Sequence, residues 1–213
     1  MNAPRIESTL VSVDVLTLRF DAEAHTVLLA IAPRAFDPFA GELALPGVLL
    51  GKGERLRDAA HRAVTTKLGL PEVTATGQLA TFDEPSRDPR GPTLSIALWA
   101  TLDPAASASG PTWTRLSEVP ALAFDHNRIV TDCRPILADK LWRDPTFTAG
   151  LLGREFTTAH ALDVTESLTG DRPYPANLGR TMDRIPGLER TTQHAAALPQ
   201  GGRPPLVWRW TTP

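Results

Sequence analysis

Polar and apolar residues alternate near the start of the chain, with Val11, Val13 and Val15 set against Ser12 and Asp14 and the run continuing to Phe20. A period of two predicts a half-buried strand. Residues 21–25 then read as a turn, and the apolar run 26–32 as a short buried strand. A loop at 35–41, holding Pro38 and Gly41, leads into LPGVLLGKGERLRDAAHRAVTTKLGL at 45–70, where the period changes. Leu56, Ala59, Ala60, Ala63, Val64 and Leu68 recur at the i, i+3, i+4, i+7 spacing of one helix face, and Gly69 stands where a helix stops. Glu54, Arg57, Asp58, His61, Arg62, Thr65, Thr66 and Lys67 fall on the opposite face. Strands return at 77–82 and 93–100, the second with Leu94, Ile96 and Leu98 alternating against Ser95, Ala97 and Trp99.

The second half is more helical. Residues 103–111 are small-residue linker, and Trp113 with 116–120 reads as a last strand and a helix entry. Ile129, Val130, Cys133, Ile136, Leu137, Lys140 and Leu141 keep helical spacing, with Pro135 expected to kink or restart the helix. From 146 onward the order is helix, helix, turn, helix, hairpin. Ala161, Val164 and Leu168 face inward, and Gly170, Asp171, Arg172 and Pro173 make the turn. Pro175 suits the first turn of the next helix, which Pro186 and Gly187 end. Leu178, Met182 and Ile185 share one face of it. Residues 188–194 and 205–210, joined by LPQGGRP, form the hairpin with Arg203 at its tip.

Composition narrows the function classes. A length of 213 residues allows one large domain or two small ones, and 42% hydrophobic residues suffice for a packed core. The net charge of −2 excludes a globally basic protein, so any nucleic-acid surface must be a local patch. Cys133 is the only cysteine, which excludes an internal disulfide and a cysteine-built zinc site and fits a reducing compartment. Neither a charged-then-apolar leader nor a bilayer-length apolar run is seen, so a cytoplasmic protein with no membrane partner is expected.

Three sets of side chains carry candidate chemistry. Arg87 and Arg90 lie in the loop 83–92, and guanidinium forks suit diphosphates; composition alone fits a solvated surface loop equally well. His126, beside Asp125 and without a second histidine at metal spacing, reads as a structural, hydrogen-bonded residue rather than a base or ligand. Asn177, Arg180, Thr181 and Arg184 share the polar face of the short helix and have the side chains that contact adenine, guanine and phosphate in a major groove. A small partner-binding domain with a solvated face is the competing reading of that region.

The stretch 45–70 resembles a Nudix box, G-x5-E-x7-R-E-U-x-E-E-x-G-U, in which the glutamates of the REUxEE run hold magnesium. Glu54, Arg62, Val64, Gly69 and Leu70 fall on consensus positions, and Gly47 follows Leu45 and Pro46 in the usual approach; the first motif glycine is Val48. Ala63, Thr66 and Lys67 stand where the three helix glutamates belong. Magnesium takes oxygen ligands, which alanine and lysine cannot supply, and a unit charge about 4 Å from a dication is repelled by roughly 2–8 kcal/mol. The box therefore implies a Nudix-shaped domain with no catalytic and no metal-holding residues.

QLATFDEPSRDPRGPTLSIALWA at 78–100 is similar to the QxxTFdxPxRDPRG segment of ADP-ribose-type Nudix domains and of the Nudix-related transcriptional regulators of NAD metabolism. LAFDHNRIV at 122–130, then EFTxxxxxxVxExLxG, RPYPxNLxR and GGRP before a last aromatic strand, resemble the same regulators. Gly179 and Thr181 depart from the basic residues common there. The resemblance implies an α/β fold, the Nudix α/β/α sandwich, followed by an α+β winged helix-turn-helix. It implies a Nudix-like sensor at 1–124, a connecting helix at 125–145 and a DNA-binding domain at 146–213. It further implies a homodimeric regulator, most simply a repressor, that binds a double-stranded DNA operator. A nucleotide effector, ADP-ribose or a related NAD metabolite, takes the place of a cofactor. By analogy Arg34, Glu54, Arg87 and Arg90 are ligand contacts, and Thr157, Asn177, Arg180, Thr181, Arg184 and Arg203 are DNA contacts. The enzyme alternative is a hydrolase of ADP-ribose or another nucleoside diphosphate derivative with a non-standard metal site.

Overall fold

A computed structural model of the chain describes residues 9–70, 73–102, 109–194 and 206–211, with the backbone only at 192–194. The first elements are β1 (Leu10–Asp21), β2 (Thr26–Pro33), β3 (Leu43–Ala44), β4 (Gly47–Leu49) and α1 (Leu56–Leu68). Next come β5 (Ala75–Phe82), β6 (Thr93–Thr101), β7 (Thr112–Arg115), α2 (His126–Lys140) and α3 (Pro145–Leu152). The chain continues through β8 (Glu155–Thr157), α4 (Thr158–Thr169), α5 (Pro175–Met182), β9 (Leu188–His194) and β10 (Leu206–Trp210).

Strand β1 organises the larger sheet, whose order is β3-β2-β1-β6-β5 with β4 also on β1 and β7 on β2. One edge of β1 runs parallel to β6 from Leu10 to Leu18. The other edge is divided: Leu18–Asp21 pair with β2, while Ser12–Asp14 pair with β4. Half-burial was the expectation for β1; instead Val13 through Leu18 are all buried, Asp14 and Thr17 included. The reason is that both faces of the sheet are covered. Val13 and Val15 join a cluster with Ala59, Ala60, Ala63, Val64 and Leu68 of α1. Leu16, Leu18 and Phe20 join the cluster built by α2, α3 and α4 on the opposite face. An α/β sandwich of the expected Nudix type results.

The α1 face is mostly alanine, which lets the helix lie close on the sheet, and Gly69 ends it at φ 65°, donating its N–H to the Thr65 carbonyl. A left-handed residue at this position is the usual glycine stop. In α2 the helix does not restart at Pro135, for His126–Lys140 is one continuous helix. Pro135 removes the donor to the Thr131 carbonyl, but both residues are exposed, so water can serve that carbonyl.

Beyond α2 the core does not stop. Phe147 of α3 meets Trp99 of β6 edge-on at 5.0 Å, and Leu151, Phe156, Leu168, Met182 and Trp208 belong to the same cluster as Leu16 and Ile129. Polar contacts reinforce the junction: the Val27 N–H donates to the Ser167 hydroxyl at 2.8 Å, and His25 Nδ1 lies 2.8 Å from Asp163. A smaller sheet, β8-β10-β9, closes the end of the molecule. The hairpin strands fall at Leu188–His194 and Leu206–Trp210, close to the positions read from the sequence.

Candidate functional site

Beside the paired stretch of β1 and β4, a cavity of about 330 Å³ opens, lined from β1 by Ser12 and Asp14, from β4 by Gly47–Leu49, and from α1 by Arg62 and Lys67. The loop after β2 adds Arg34, Phe36 and Asp37, the loop between β5 and β6 adds Arg87, Asp88 and Arg90, and Phe124 and His126 complete the wall. An adjoining hollow of about 200 Å³ shares Arg34, Phe36, Leu45, Gly47 and Lys67.

On the cavity floor Asp14 is buried, accepting from the Ser95 hydroxyl at 2.5 Å and the Ser12 hydroxyl at 3.3 Å. Gly47 faces it so closely that a Cβ there would lie 2.2 Å from Asp14 Oδ1, so any larger residue would displace the Asp14 carboxylate from its hydrogen bonds. His126 is also buried; its Nδ1 accepts from the Leu45 N–H at 3.0 Å, which leaves the proton on Nε2, 3.7 Å from Asp14. Burial holds its pKa below the usual value. It is the structural, hydrogen-bonded histidine expected.

Arg87 does not present the free guanidinium that the sequence suggested. Its fork is closed on Asp125, Nη2 at 2.7 Å and Nε at 3.0 Å, and Nη2 also lies 3.4 Å from Asp14. With 3% of its side chain exposed it ties the cavity floor to the residue that precedes α2. Arg90 is bound to Asp88 at 2.7 and 3.0 Å but remains half exposed. Arg34 donates to the Pro38 carbonyl at 2.7 Å and lies 4.5 Å from the centre of the Phe124 ring, with Arg90 at 5.8 Å. Burial and the nearby Arg90 charge push its pKa down.

Glu54 and Arg62 form a clamp. Arg62 donates to the two carboxylate oxygens at 2.8 and 2.7 Å and to the Leu49 carbonyl at 2.9 Å, while the Gly51 N–H donates to Glu54 at 2.7 Å. The Arg62 and Gly51 hydrogen bonds hold the Glu54 carboxyl down at about 2. Glu54 thus staples the loop before α1, and it is absent from the cavity wall. Of the three positions that would carry glutamates, Ala63 is fully buried, Thr66 donates its hydroxyl to the Arg62 carbonyl at 2.6 Å, and Lys67 reaches the cavity. This donor set does not fit magnesium. Among the described residues no group of three or more His, Cys, Asp or Glu is placed to hold a metal.

At the other end of the molecule, Leu178 and Met182 bury one face of α5, leaving Asn177, Arg180 and Thr181 exposed. Arg180 Nη2 donates to Asn177 Oδ1 at 2.8 Å. Arg184 is not on the helix as expected, because α5 ends at Met182 and Arg184 sits in the following turn, its N–H on the Thr181 carbonyl. Ile185 precedes Pro186, which disfavours continued helix. Thr157, a candidate DNA contact, caps α4, its hydroxyl accepting from the His160 N–H at 3.1 Å. Arg203 and the hairpin tip lie outside the described residues. Sequence reasoning missed Asp14, whose signal was an acid inside a strand, and Phe124, whose left-handed backbone (φ 57°) no local pattern announces.

No family model matches the chain. The curated ADP-ribose pyrophosphatase of Methanocaldococcus jannaschii is 33% identical over 110 residues, 49% of this chain and 64% of that protein, so the match spans less than two thirds of this relative. The crystal structure of Shewanella oneidensis NrtR superimposes with a TM-score of 0.76 at 23% identity, covering 95% of this chain and 94% of that one. The same protein bound to a 27mer DNA gives 0.75 at 24% identity, over 94% of this chain and 93% of that one. Its NUDIX domain with ADP ribose gives 0.54 at 25% identity, over 64% of this chain and 94% of that one. The fold is therefore a Nudix-type α/β sandwich joined to a helical and hairpin unit. In that full arrangement it is the fold of Shewanella NrtR.

Proposed function

We propose that this protein is a ligand-responsive DNA-binding transcriptional regulator of the Nudix-related type, with a winged helix-turn-helix formed by α4, α5 and the β9–β10 hairpin. The observation that carries this reading is the pairing, on one continuous core, of a cationic cavity unfit for magnesium with an exposed Asn/Arg helix. The likeness to a protein crystallised both with DNA and with ADP ribose supports it. The cavity takes ADP-ribose or a related NAD metabolite, and α5 meets an operator of NAD-metabolism or related genes. Two copies act as a homodimer, because such readers meet half-sites about one helical turn apart. The ligand acts as the release signal of a repressor. α2 runs from the Arg87–Asp125 pair at the cavity to its packing on α4, so ligand and operator can bias one arrangement of the same core.

Genome-wide mapping of bound DNA identifies the operator. Titrating the operator complex with NAD, ADP-ribose and nicotinamide mononucleotide, read by fluorescence anisotropy, then tests the coupling, expected at roughly 5–150-fold. No shift at millimolar ligand would leave the first domain a scaffold rather than a sensor. The identity to the Methanocaldococcus enzyme favours a second reading, an ADP-ribose hydrolase. Turnover on the order of 1 per second with magnesium or manganese, ordinary for an enzyme, would establish it; we expect none above background.

A further inference from the structure

The charges around the cavity do not cancel evenly. Arg62 is answered by Glu54, Arg90 by Asp88, and Arg87 by Asp125 and Asp14. Two cations on the wall have no carboxylate within ion-pair distance among the described residues: Arg34, which donates to the Pro38 and Phe36 carbonyls and lies over the Phe124 ring, and Lys67. Both line the main cavity and the adjoining hollow, so they border one continuous space. Asp37 is exposed at the rim. Lys67 extends from the last turn of α1, where the helix dipole favours a cation, so the fold tolerates its charge without a carboxylate beside it.

We propose that Lys67, with Arg34, binds the phosphates of a nucleoside diphosphate directly and in place of a divalent cation, so that the effector enters this cavity free of metal. The inference rests on the sensor reading above and adds the chemistry of recognition to it. Nucleoside diphosphates carry negative charge that proteins meet either with magnesium held by one or two carboxylates or with lysine and arginine. Of the carboxylates on the cavity wall, Asp14 is engaged by Ser95 and Arg87, Asp88 is engaged by Arg90, and Asp37 is exposed at the rim, whereas Arg34 and Lys67 are two unanswered cations for the second solution. An ammonium at Lys67 would also repel a magnesium ion placed beside it, which weighs against the first solution here.

Isothermal titration of the full-length protein with ADP-ribose, in magnesium-containing buffer and again in EDTA, tests the assignment together with Lys67→Met and Lys67→Glu. Both substitutions replace an exposed side chain on the helix surface, so both variants should fold like the parent, as melting curves will verify. The wild type is expected to bind equally in both buffers. Lys67→Met, which keeps the aliphatic stem and removes the charge, should weaken binding by about tenfold, the equivalent of one charge-assisted hydrogen bond of about 1.4 kcal/mol. Lys67→Glu should weaken it further in EDTA. If wild-type binding requires magnesium, or if Lys67→Met binds as tightly as wild type, the metal-free assignment is wrong while the sensor reading survives. If ADP-ribose binds in neither buffer, the sensor reading falls and takes this inference with it.

Discussion

The cavity and the outer face of α5 are both arginine-bearing, yet their arginines live under opposite conditions. In the cavity Arg87 is 3% exposed and closed on two aspartates, and Arg62 and Arg90 are each forked onto a carboxylate. On α5 Arg180 touches, among the described residues, only the neighbouring Asn177 side chain and the Ala176 carbonyl, and Arg184 stands in an exposed turn. A buried charge must be paired or the fold bears its desolvation, whereas an exposed one can wait for a ligand at little expense. The number of arginines at a site therefore says less than which of them are already engaged. Among the described residues, the most buried arginine, Arg87, is scaffolding.

The largest effect expected from this contrast is in stability. Arg87→Ala leaves Asp14 and Asp125 without their counter-charge and should destabilise the protein by about 3–5 kcal/mol, measured by urea unfolding. An unchanged midpoint would mean the fork is not the strut described. On the α5 face the opposite pattern should hold. The Arg180→Ala, Arg184→Ala double variant should keep wild-type stability, yet weaken operator binding and flatten its salt dependence by roughly 1 in slope for each phosphate no longer neutralised. Binding unchanged at every salt concentration would assign that face to a protein partner.

The smallest effect is at the Glu54–Arg62 clamp, where Arg62 is exposed and Glu54 is partly so. Because the folded Glu54 carboxyl titrates at about 2 against an ordinary 4.5, its contribution is complete above about 4.5 and declines as pH falls toward about 2. Amide exchange in residues 50–55 should accelerate over that window in the wild type, and the dependence should vanish in Arg62→Ala. A wild-type profile flat across it would show that the clamp does not order the loop.

How these sites were legible differs from element to element. The α1 helix, its inward alanines and its Gly69 stop followed from periodicity, and so did the inward face of α5, because apolar spacing and glycine stereochemistry are local properties. The positions of the hairpin strands and the structural role of His126 were readable for similar reasons. Other features depended on what lies across the fold. Asp14 looked like the polar side of a half-buried strand until α2 and α3 covered that face. Arg87 looked free because Asp125, 38 positions away in sequence, becomes its partner only when the loop between β5 and β6 meets the start of α2. Thr157 gained a helix-capping role on α4, and Pro135 looked like a place to kink or restart the helix until α2 ran through it without restarting.

What the amino-acid sequence determined by itself was the order of the longer elements, the buried faces of α1 and α5, and the absence of carboxylates at positions 63, 66 and 67, all set by residue type and spacing. Only the tertiary structure decided which charges remain free, since a charge is free or engaged according to neighbours brought in from distant parts of the chain. For that reason Lys67, read in the sequence only as a missing glutamate, emerges in the fold as an unanswered cation on the wall of the cavity.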